Sequence, residues 1–491
     1  FRILRGGRRG GRHETLRDTV RWSYESLDER EAALFARLSV FAGGFTLDAV
    51  QAVCVDDLRS GDPLTDAAVA DDDVLEVLLA LADKSMVVAD RGLDRVRFVM
   101  LDTIRQFGQE QLDRRAESAV FRRRHADYFA ALAQEQRGRL LTAAEADAWD
   151  VLGMEWANIR TAFDTEAVEG DIEAAIAIVV AVGWFATFSM RFEAFSWASE
   201  LLDRVDDAHP RRAALLGLRA MRAYFTLDDD AVALAEAGLA LDPVDADGFC
   251  RSSLAAVYLN NLHAASASAA LTGAWITHLD DASPENRLWA EAFRVFHLTS
   301  HDPRPEAAER AEALLREATA TGSATRLALA QWARGLVASV PDRDEALRIW
   351  DDGLDAARSL SAGHLCVHLL IGLQLHFAAG RGELAVTLRR CRDTLQLAYD
   401  QHYLVGTSHL FGVTAIVLAR AGRAETGAVL LGAMEGNGHL PRPNASRAVA
   451  RALGDDAEPH AASGAQLTVN EAAATAFAAL DDALMEIDTV S

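Results

Sequence analysis

Lysine is nearly absent: Lys84 is the sole example in 491 residues, alongside four cysteines and ten prolines. The shortage excludes one common activity. A phosphate-binding loop of the form Gly-x-x-x-x-Gly-Lys-Ser/Thr needs its lysine to reach the β- and γ-phosphates of a nucleotide, and Lys84 follows Asp83 instead of a glycine. No such loop exists in this chain. Cys54, Cys250, Cys366 and Cys391 lie far apart and read as reduced thiols, not as a disulfide framework. A Gly-x-Ser-x-Gly elbow, a cysteine cluster and a carboxylate pair of recognisable spacing are all lacking, so neither a catalytic constellation nor a cofactor site is expected. His297/His301 and His364/His368 each place two imidazoles one helical turn apart, with His376 the only further imidazole at helical distance. Metal binding needs more ligands than that, and these histidines read as packed or solvated. Long apolar runs are scarce too. Residues 174–190 fall short of the roughly 20 residues of a membrane helix and include Gly183, Thr187 and Ser189. They read as a buried helix. With a net charge of −24 and no signal peptide pattern, the expected setting is cytoplasmic, with no membrane contact.

What is present begins with helix periodicity. Leu16, Val20, Tyr24 and Leu27, then Leu34, Phe35, Leu38 and Phe41, recur at three and four, predicting helices over 15–27 and 31–41. Gly43-Gly44 ends the second, and Thr46 is positioned to cap a third helix through Val53. Asp71-Asp72-Asp73 opens a helix over 74–83, where negative charge suits the positive end of the helix dipole. Residues 85–89 and 95–100 flank Asp90-Arg91-Gly92-Leu93-Asp94 as two strands around a glycine turn, and a helix follows over 102–112. Helices, a hairpin wing and a closing helix make a winged helix over residues 15–115.

Charge argues against duplex binding by this domain. Residues 22–115 hold ten Lys/Arg against nineteen Asp/Glu, whereas nucleic-acid binding is driven largely by cations that neutralise phosphates. The helix that would enter the major groove, residues 73–83, offers no Arg, Asn or Gln to a base edge. It reads as a packing helix.

Four stretches resemble a known family: Trp22-Ser23-Tyr24-Glu25-Ser26-Leu27, residues 34–47 (Leu-Phe-Ala-Arg-Leu-Ser-Val-Phe-Ala-Gly-Gly-Phe-Thr-Leu), Leu81-Ala82-Asp83-Lys84-Ser85 and Leu101-Asp102-Thr103-Ile104-Arg105-Gln106-Phe107. They are similar to the region after the nucleotide-binding core in bacterial STAND signal-transduction ATPases, large regulators related to NB-ARC proteins. The resemblance is specific over residues 12–115 and architectural beyond. It implies an upstream ATPase core that would hold ATP or ADP and magnesium, and a tetratricopeptide-like sensor downstream. It also implies, in some relatives, a LuxR-type, transcription-activator or nucleotide-cyclase output domain, and assembly on activation. Phe1-Arg2-Ile3-Leu4 resembles the tail of a preceding subdomain, so the chain reads as the C-terminal part of such a regulator.

The same resemblance nominates relay residues. Met100-Leu101-Asp102 stands where NB-ARC relatives carry Met-His-Asp, so leucine replaces the histidine that faces the ADP β-phosphate. Asp102 and Arg105 are expected to contact the ATPase core, although an Asp before a helix is also an ordinary N-cap. Arg12 and His13 match a signature just ahead of the winged helix and are expected near nucleotide or core. They lie near the end of an Arg/Gly-rich linker over residues 1–14, whose plainer reading is a solvated connection.

From residue 116 to 491 the chain is dominated by Ala, Leu, Arg, Asp and Glu at helical spacing. Breaks at 170–171, 228–229, 284, 322, 342–344, 380–382 and 422–423 recur at intervals near forty residues, as in two-helix repeats. Ala379-Gly380-Arg381-Gly382-Glu383-Leu384-Ala385 and Arg420-Ala421-Gly422-Arg423-Ala424-Glu425-Thr426 are the clearest pair of turns. The expectation is a mainly α protein: a small winged helix followed by an α-solenoid of eight or nine tetratricopeptide-like hairpins. Its aromatic cluster Trp149, Trp156, Trp184, Phe188, Phe192 and Trp197, together with Phe185 and Phe195, is the candidate partner groove, though aromatics at helical spacing mostly fill cores. The sequence thus favours a non-enzymatic module that relays nucleotide state and senses an effector or protein. A DNA-binding regulator using the winged helix, and a fragment of a cyclase-linked signalling enzyme, are the alternatives.

Overall fold

The computed structural model describes residues 10–56, 69–90, 96–168, 170–260, 283–300, 304–339, 341–360, 364–378, 382–439, 441 and 443–490. Most of the Arg/Gly linker, the wing turn 91–95 and His301 lie outside them. The chain divides into two compact units, 1–138 with 151–181, and 139–150 with 182–491. The division falls later than residue 115, because helices beyond the winged helix belong to the first unit.

In the first unit, α1 (Gly10–Glu25) starts inside the stretch expected as linker. α2 (Glu29–Leu38) is fixed by a capping box: Asp28 accepts from the Glu31 N–H at 2.9 Å while Glu31 accepts from the Asp28 N–H at 2.8 Å. Thr46 caps α3 (Leu47–Cys54) through the Ala49 N–H at 3.2 Å. A 3₁₀ turn over Asp71–Asp73 leads into α4 (Val74–Asp83). β1 (Gly44–Phe45), β2 (Val88–Asp90) and β3 (Arg97–Val99) form an antiparallel sheet in the order β1-β3-β2, with Gly44 opposite Val99 and Asp90 opposite Arg97. The hairpin is the wing. α5 (Asp102–Arg114), α6 (Ser118–Arg139) and α8 (Trp156–Val168) complete the unit, while α7 (Glu145–Met154) straddles the division.

Two buried polar clusters pin this unit. Arg37, fully buried, donates to Asp56 at 2.7 and 3.2 Å, to Glu117 at 3.2 Å and to the Cys54 carbonyl at 3.0 Å, with its guanidinium over the Phe121 ring. Asn158 accepts from the Ala42 N–H at 2.9 Å and from His125 Nε2 at 3.3 Å, and donates to the Gly44 carbonyl and to Glu155. Glu155 in turn pairs with Arg97 of β3. The wing is therefore locked to α8 by polar contacts that a helix-period reading does not see.

The second unit is an α-solenoid of hairpins. Inner helices Arg212–Thr226, Pro284–Ser300, Ala324–Ala338, His364–Ala378 and Leu404–Arg420 each pair with an outer one, Ala231–Leu241, Arg304–Thr321, Arg343–Arg358, Leu384–Asp400 and Ala424–Gly436. Phe249–Asn260 is a further inner helix, Ile172–Ser189 begins in the first unit's share of the chain and ends in the second, and Phe192–Leu202 packs on Arg212–Thr226. Small residues set the close approaches. A Cβ at Gly183 would sit 2.6 Å from Phe249 and 2.9 Å from Leu218, and one at Gly217 would meet the Cys250 backbone nitrogen at 2.7 Å. Among the described residues, Ile172–Ser189 is the one helix long and apolar enough to cross a membrane, and 78% of it is buried within the protein. Its hydrophobicity serves packing between helices.

Candidate functional site

Of the residues nominated for a relay, Met100, Leu101, Asp102 and Arg105 lie where the wing ends and α5 begins. Met100 is buried, and Leu101, extended at φ −61° and ψ 143°, is the N-cap residue of α5 without a side-chain cap. This corrects the expectation that Asp102 caps the helix: Asp102 is its first residue. There its carboxylate still faces the positive end of the dipole, and Arg105 pairs with it at 3.3 Å across one turn. Leu101 and Asp102 are exposed side by side. Arg12 and His13 fall in the first turn of α1, which contacts α5.

α4 buries Val74, Val77, Leu78 and Leu81 and turns Leu75, Glu76, Leu79 and Asp83 outward, with Leu75 and Leu79 47% and 48% exposed. Nearby cations are already paired, Arg30 with Asp73 at 3.1 Å and Lys84 with Glu31 at 2.5 Å. The face that would enter a major groove is apolar and acidic.

In the second unit the inner helices converge on a cavity of about 90 Å³, lined by Trp184, Thr187, Met221, Tyr224, Phe225, Ser252, Ala256, Trp289, Phe293, Trp332, Leu365, Leu369, Tyr403 and His409. Every one of these residues lies on an inner helix or at its cap. No Asp, Glu, Lys or Arg is among them. Trp184 and Trp289 stack at 6.4 Å and 20°, and Trp289 stacks on Phe293 at 5.4 Å. Tyr403 closes one side edge-on to Phe225 at 5.4 Å and to His368 at 5.5 Å, and its hydroxyl bonds to that of Tyr224. Burial pushes the Tyr403 phenol well above its ordinary pKa, so it stays neutral.

The polar atoms of the wall are unequally satisfied. Trp184 Nε1 donates to the Asp247 carbonyl at 2.9 Å, and Thr187 Oγ1 to the Gly183 carbonyl at 2.8 Å. Trp289 Nε1 and Ser252 Oγ, both more than nine-tenths buried, have no hydrogen-bond partner among the described residues. A buried donor left unpaired costs about 1–3 kcal/mol. Both atoms are also covered by their neighbours on the cavity side, so the surface the cavity exposes is almost wholly apolar.

Among the aromatics nominated from sequence, Trp184 lines the cavity. Trp149 is buried against Phe185 and Phe188, Phe188 stacks behind Trp289, and Phe192 packs edge-on to Phe195 and Phe225. Trp197 is buried in the second unit and Trp156 in the first. The lining residues Ser252, Trp289, Trp332 and Tyr403 escape a local reading because each lies on a different repeat. An aromatic at the same inward position of successive inner helices is the signal that could have found them. His368 bonds to the Gln401 carboxamide at 2.7 Å, and among the described residues no three His, Cys, Asp or Glu side chains are grouped to hold a metal.

A second contact fixes the start of the solenoid. Glu145, buried, accepts from Ser323 Oγ at 2.9 Å and from the Thr325 N–H at 2.8 Å, at the N-terminus of helix Ala324–Ala338. Arg326 Nε adds a bond to the Leu141 carbonyl at 3.0 Å. A carboxylate at a helix N-terminus meets both unpaired amides and the dipole.

No family model matches the chain. A Mycobacterium tuberculosis protein named "Putative HTH-type transcriptional regulator" is 36% identical over 232 residues, covering 45% of this chain and 24% of that protein. A Mycobacterium bovis protein of the same description aligns equally. An uncharacterized Mycobacterium tuberculosis protein is 35% identical over 120 residues, 24% of this chain and 28% of its own length. The chain thus spans about a quarter of the length of the curated relatives it matches. Among solved structures, a Signal Transduction ATPase with Numerous Domains (STAND) protein with a tetratricopeptide repeat sensor, from Pyrococcus horikoshii, aligns with 94% of this chain and 65% of that chain at 14% identity and a TM-score of 0.42. Over 45% of its length, the chain is similar to mycobacterial proteins named as putative HTH-type transcriptional regulators.

Proposed function

We propose that this chain is the non-catalytic regulatory and sensor region of a STAND-type ATPase regulator of transcription or signalling. The helical repeats receive an effector, and the winged helix passes the change to an ATPase core elsewhere in the protein. The observation that carries the sensor reading is the cavity: seven inner helices contribute to one small volume, so an occupant would report on the spacing of them all. The chain itself crosses between the two compact units at residues 138/139, 150/151 and 181/182, which gives a covalent route for such a change. The exposed pair Leu101 and Asp102, with Arg105, would meet the core, which alone would bind ATP or ADP and magnesium. Direct DNA contact by the winged helix is disfavoured by the acidic and apolar outer face of α4.

The test is a reporter assay on the complete regulator. Asp102→Ala, which removes an exposed carboxylate without emptying any core, should raise basal output while the melting temperature falls by no more than about 4 °C, since the lost dipole and ion-pair contacts are worth about 1 kcal/mol or less. Unchanged output in that variant would remove Asp102 from the relay. Specific, salt-resistant retardation of duplex DNA by the purified chain would favour the DNA-binding reading instead.

A further inference from the structure

We propose that the inner cavity is a binding site for the unbranched alkyl end of a small, water-soluble amphiphile, whose polar head stays outside at the mouth. The inference rests on the sensor reading above and adds the ligand's chemical class.

Size, surface and depth define that class. The enclosed space of about 90 Å³ is smaller than the roughly 150 Å³ cavity that takes benzene, so by proportion it admits about four carbons and no ring. The stacking in the wall agrees. Trp289 has Trp184, Phe188 and Phe293 against it at 6.4, 5.8 and 5.4 Å, each within 25° of parallel, so its faces are already occupied by protein. A slim chain fits where a planar ligand finds no open ring face.

The surface that the cavity exposes is almost wholly apolar, because Trp289 Nε1 and Ser252 Oγ are covered by their neighbours and no ionised side chain lines it. A hydroxyl, carboxylate or ammonium group drawn inside would lose its hydration with nothing to replace it. Water fares no better, since an ordered molecule needs several polar partners. An alkyl group therefore displaces nothing that is well held.

Burial grades along the cavity. Trp184, Trp289 and Trp332 are buried and form its floor, whereas Tyr224, Ala256, Leu369 and His409 are half-buried and form its mouth. The phenol of Tyr224 and the imidazole of His409 thus stand where solvent reaches the wall. An amphiphile matches that gradient, chain inward and head outward. The four mouth residues come from the inner helices Arg212–Thr226, Phe249–Asn260, His364–Ala378 and Leu404–Arg420, so a chain seated between them fixes the spacing of repeats far apart in sequence.

The experiment titrates the full chain with 1-alkanols from ethanol to octanol by ligand-observed NMR, with cyclohexanol and benzyl alcohol as ring-bearing controls. Affinity should rise about fourfold for each methylene that enters the enclosed space, then flatten to less than about twofold per methylene once roughly four carbons are inside. Both ring-bearing alcohols should bind more weakly than 1-hexanol. Ala256→Leu fills the mouth from a half-buried position and should weaken 1-hexanol about tenfold, the worth of roughly two excluded methylenes, with the melting temperature nearly unchanged. Leu369→Ala empties part of the wall and should move the flattening to longer chains by about three carbons and admit cyclohexanol, a gain that a misfolded variant cannot give. Absence of binding by every alkanol overturns the proposal, as does affinity that climbs with chain length without flattening, or either ring-bearing alcohol matching 1-hexanol. Full 1-hexanol affinity in Ala256→Leu also overturns it. If the alkanols fail while the complete regulator loses its response in Ala256→Leu, the ligand class is wrong and the sensor reading stands. If they bind as expected but Ala256→Leu and Leu369→Ala leave its output untouched, the sensor reading falls and the site stands.

Discussion

Replacing Glu145 by alanine tests whether the segment 139–150 holds the solenoid from a distance in sequence. Its carboxylate accepts two buried hydrogen bonds, at 2.9 and 2.8 Å, from residues 178 and 180 positions away. Bonds to a charged acceptor contribute about 1.5–3 kcal/mol each, and a carboxylate at a partly buried helix N-terminus contributes up to about 2 kcal/mol. The variant also releases the desolvation cost of burying that carboxylate, which offsets part of the loss. Ser323 Oγ keeps its role as N-cap to the Arg326 N–H at 3.0 Å, so the group left orphaned is the Thr325 N–H. The net local loss is about 3 kcal/mol, which corresponds to roughly a hundredfold fall in protection against amide exchange. Leu327, whose N–H bonds to the Ser323 carbonyl at 3.0 Å, is the amide to follow. Glu145→Gln retains an acceptor and loses the charge, for about 1 kcal/mol and roughly a fivefold effect. Amides of helix Ala424–Gly436, distant from the contact, serve as the internal control. Protection of Leu327 within twofold of wild type in Glu145→Ala would refute the reasoning.

Two further outcomes are expected in the first unit. Arg37→Met removes the only counterion of Asp56 among the described residues, strands Glu117 beside it, and should cost about 3–5 kcal/mol by calorimetry; a loss below 1 kcal/mol would mean water reaches the cluster. His125 is buried against Phe41 and Phe129, and burial holds its pKa down to about 4 from 6.5. Between those values the unfolded chain takes up a proton that the folded chain does not, so stability is full above pH 6.5 and falls as pH drops toward 4, by about 3 kcal/mol at this site. His125→Gln should flatten that pH slope of the unit's melting, and an unchanged slope would exclude His125 as its source.

Local elements were legible because their causes are local. The capping hydroxyl of Thr46, the acidic opening of α4 at 71–73 and the strand-turn-strand pattern of the wing each depend on a few neighbouring residues. The Asp102 cap was misassigned because an Asp and a following apolar run do not fix which residue leaves the helical region first; the chain emerging extended from β3 makes Leu101 the cap. β1 was missed because two residues carry no period, and its existence depends on β3 lying alongside. The aromatic cluster around Trp184 was visible as a cluster, yet its composition says nothing about which rings face a void and which face another helix.

The sequence by itself determined the succession of helices, the wing, the absence of a phosphate loop and the acidic character of the winged helix, since each follows from residue type and short-range spacing. Tertiary structure decided where the cavity lies and who lines it. In a stack of hairpins an inner helix buries apolar residues on nearly all sides, so its periodicity cannot mark the inward face. That face is set by how closely neighbours approach at Gly183 and Gly217, and only the accumulated rotation of the repeats brings Ser252, Trp289 and Tyr403 around one space.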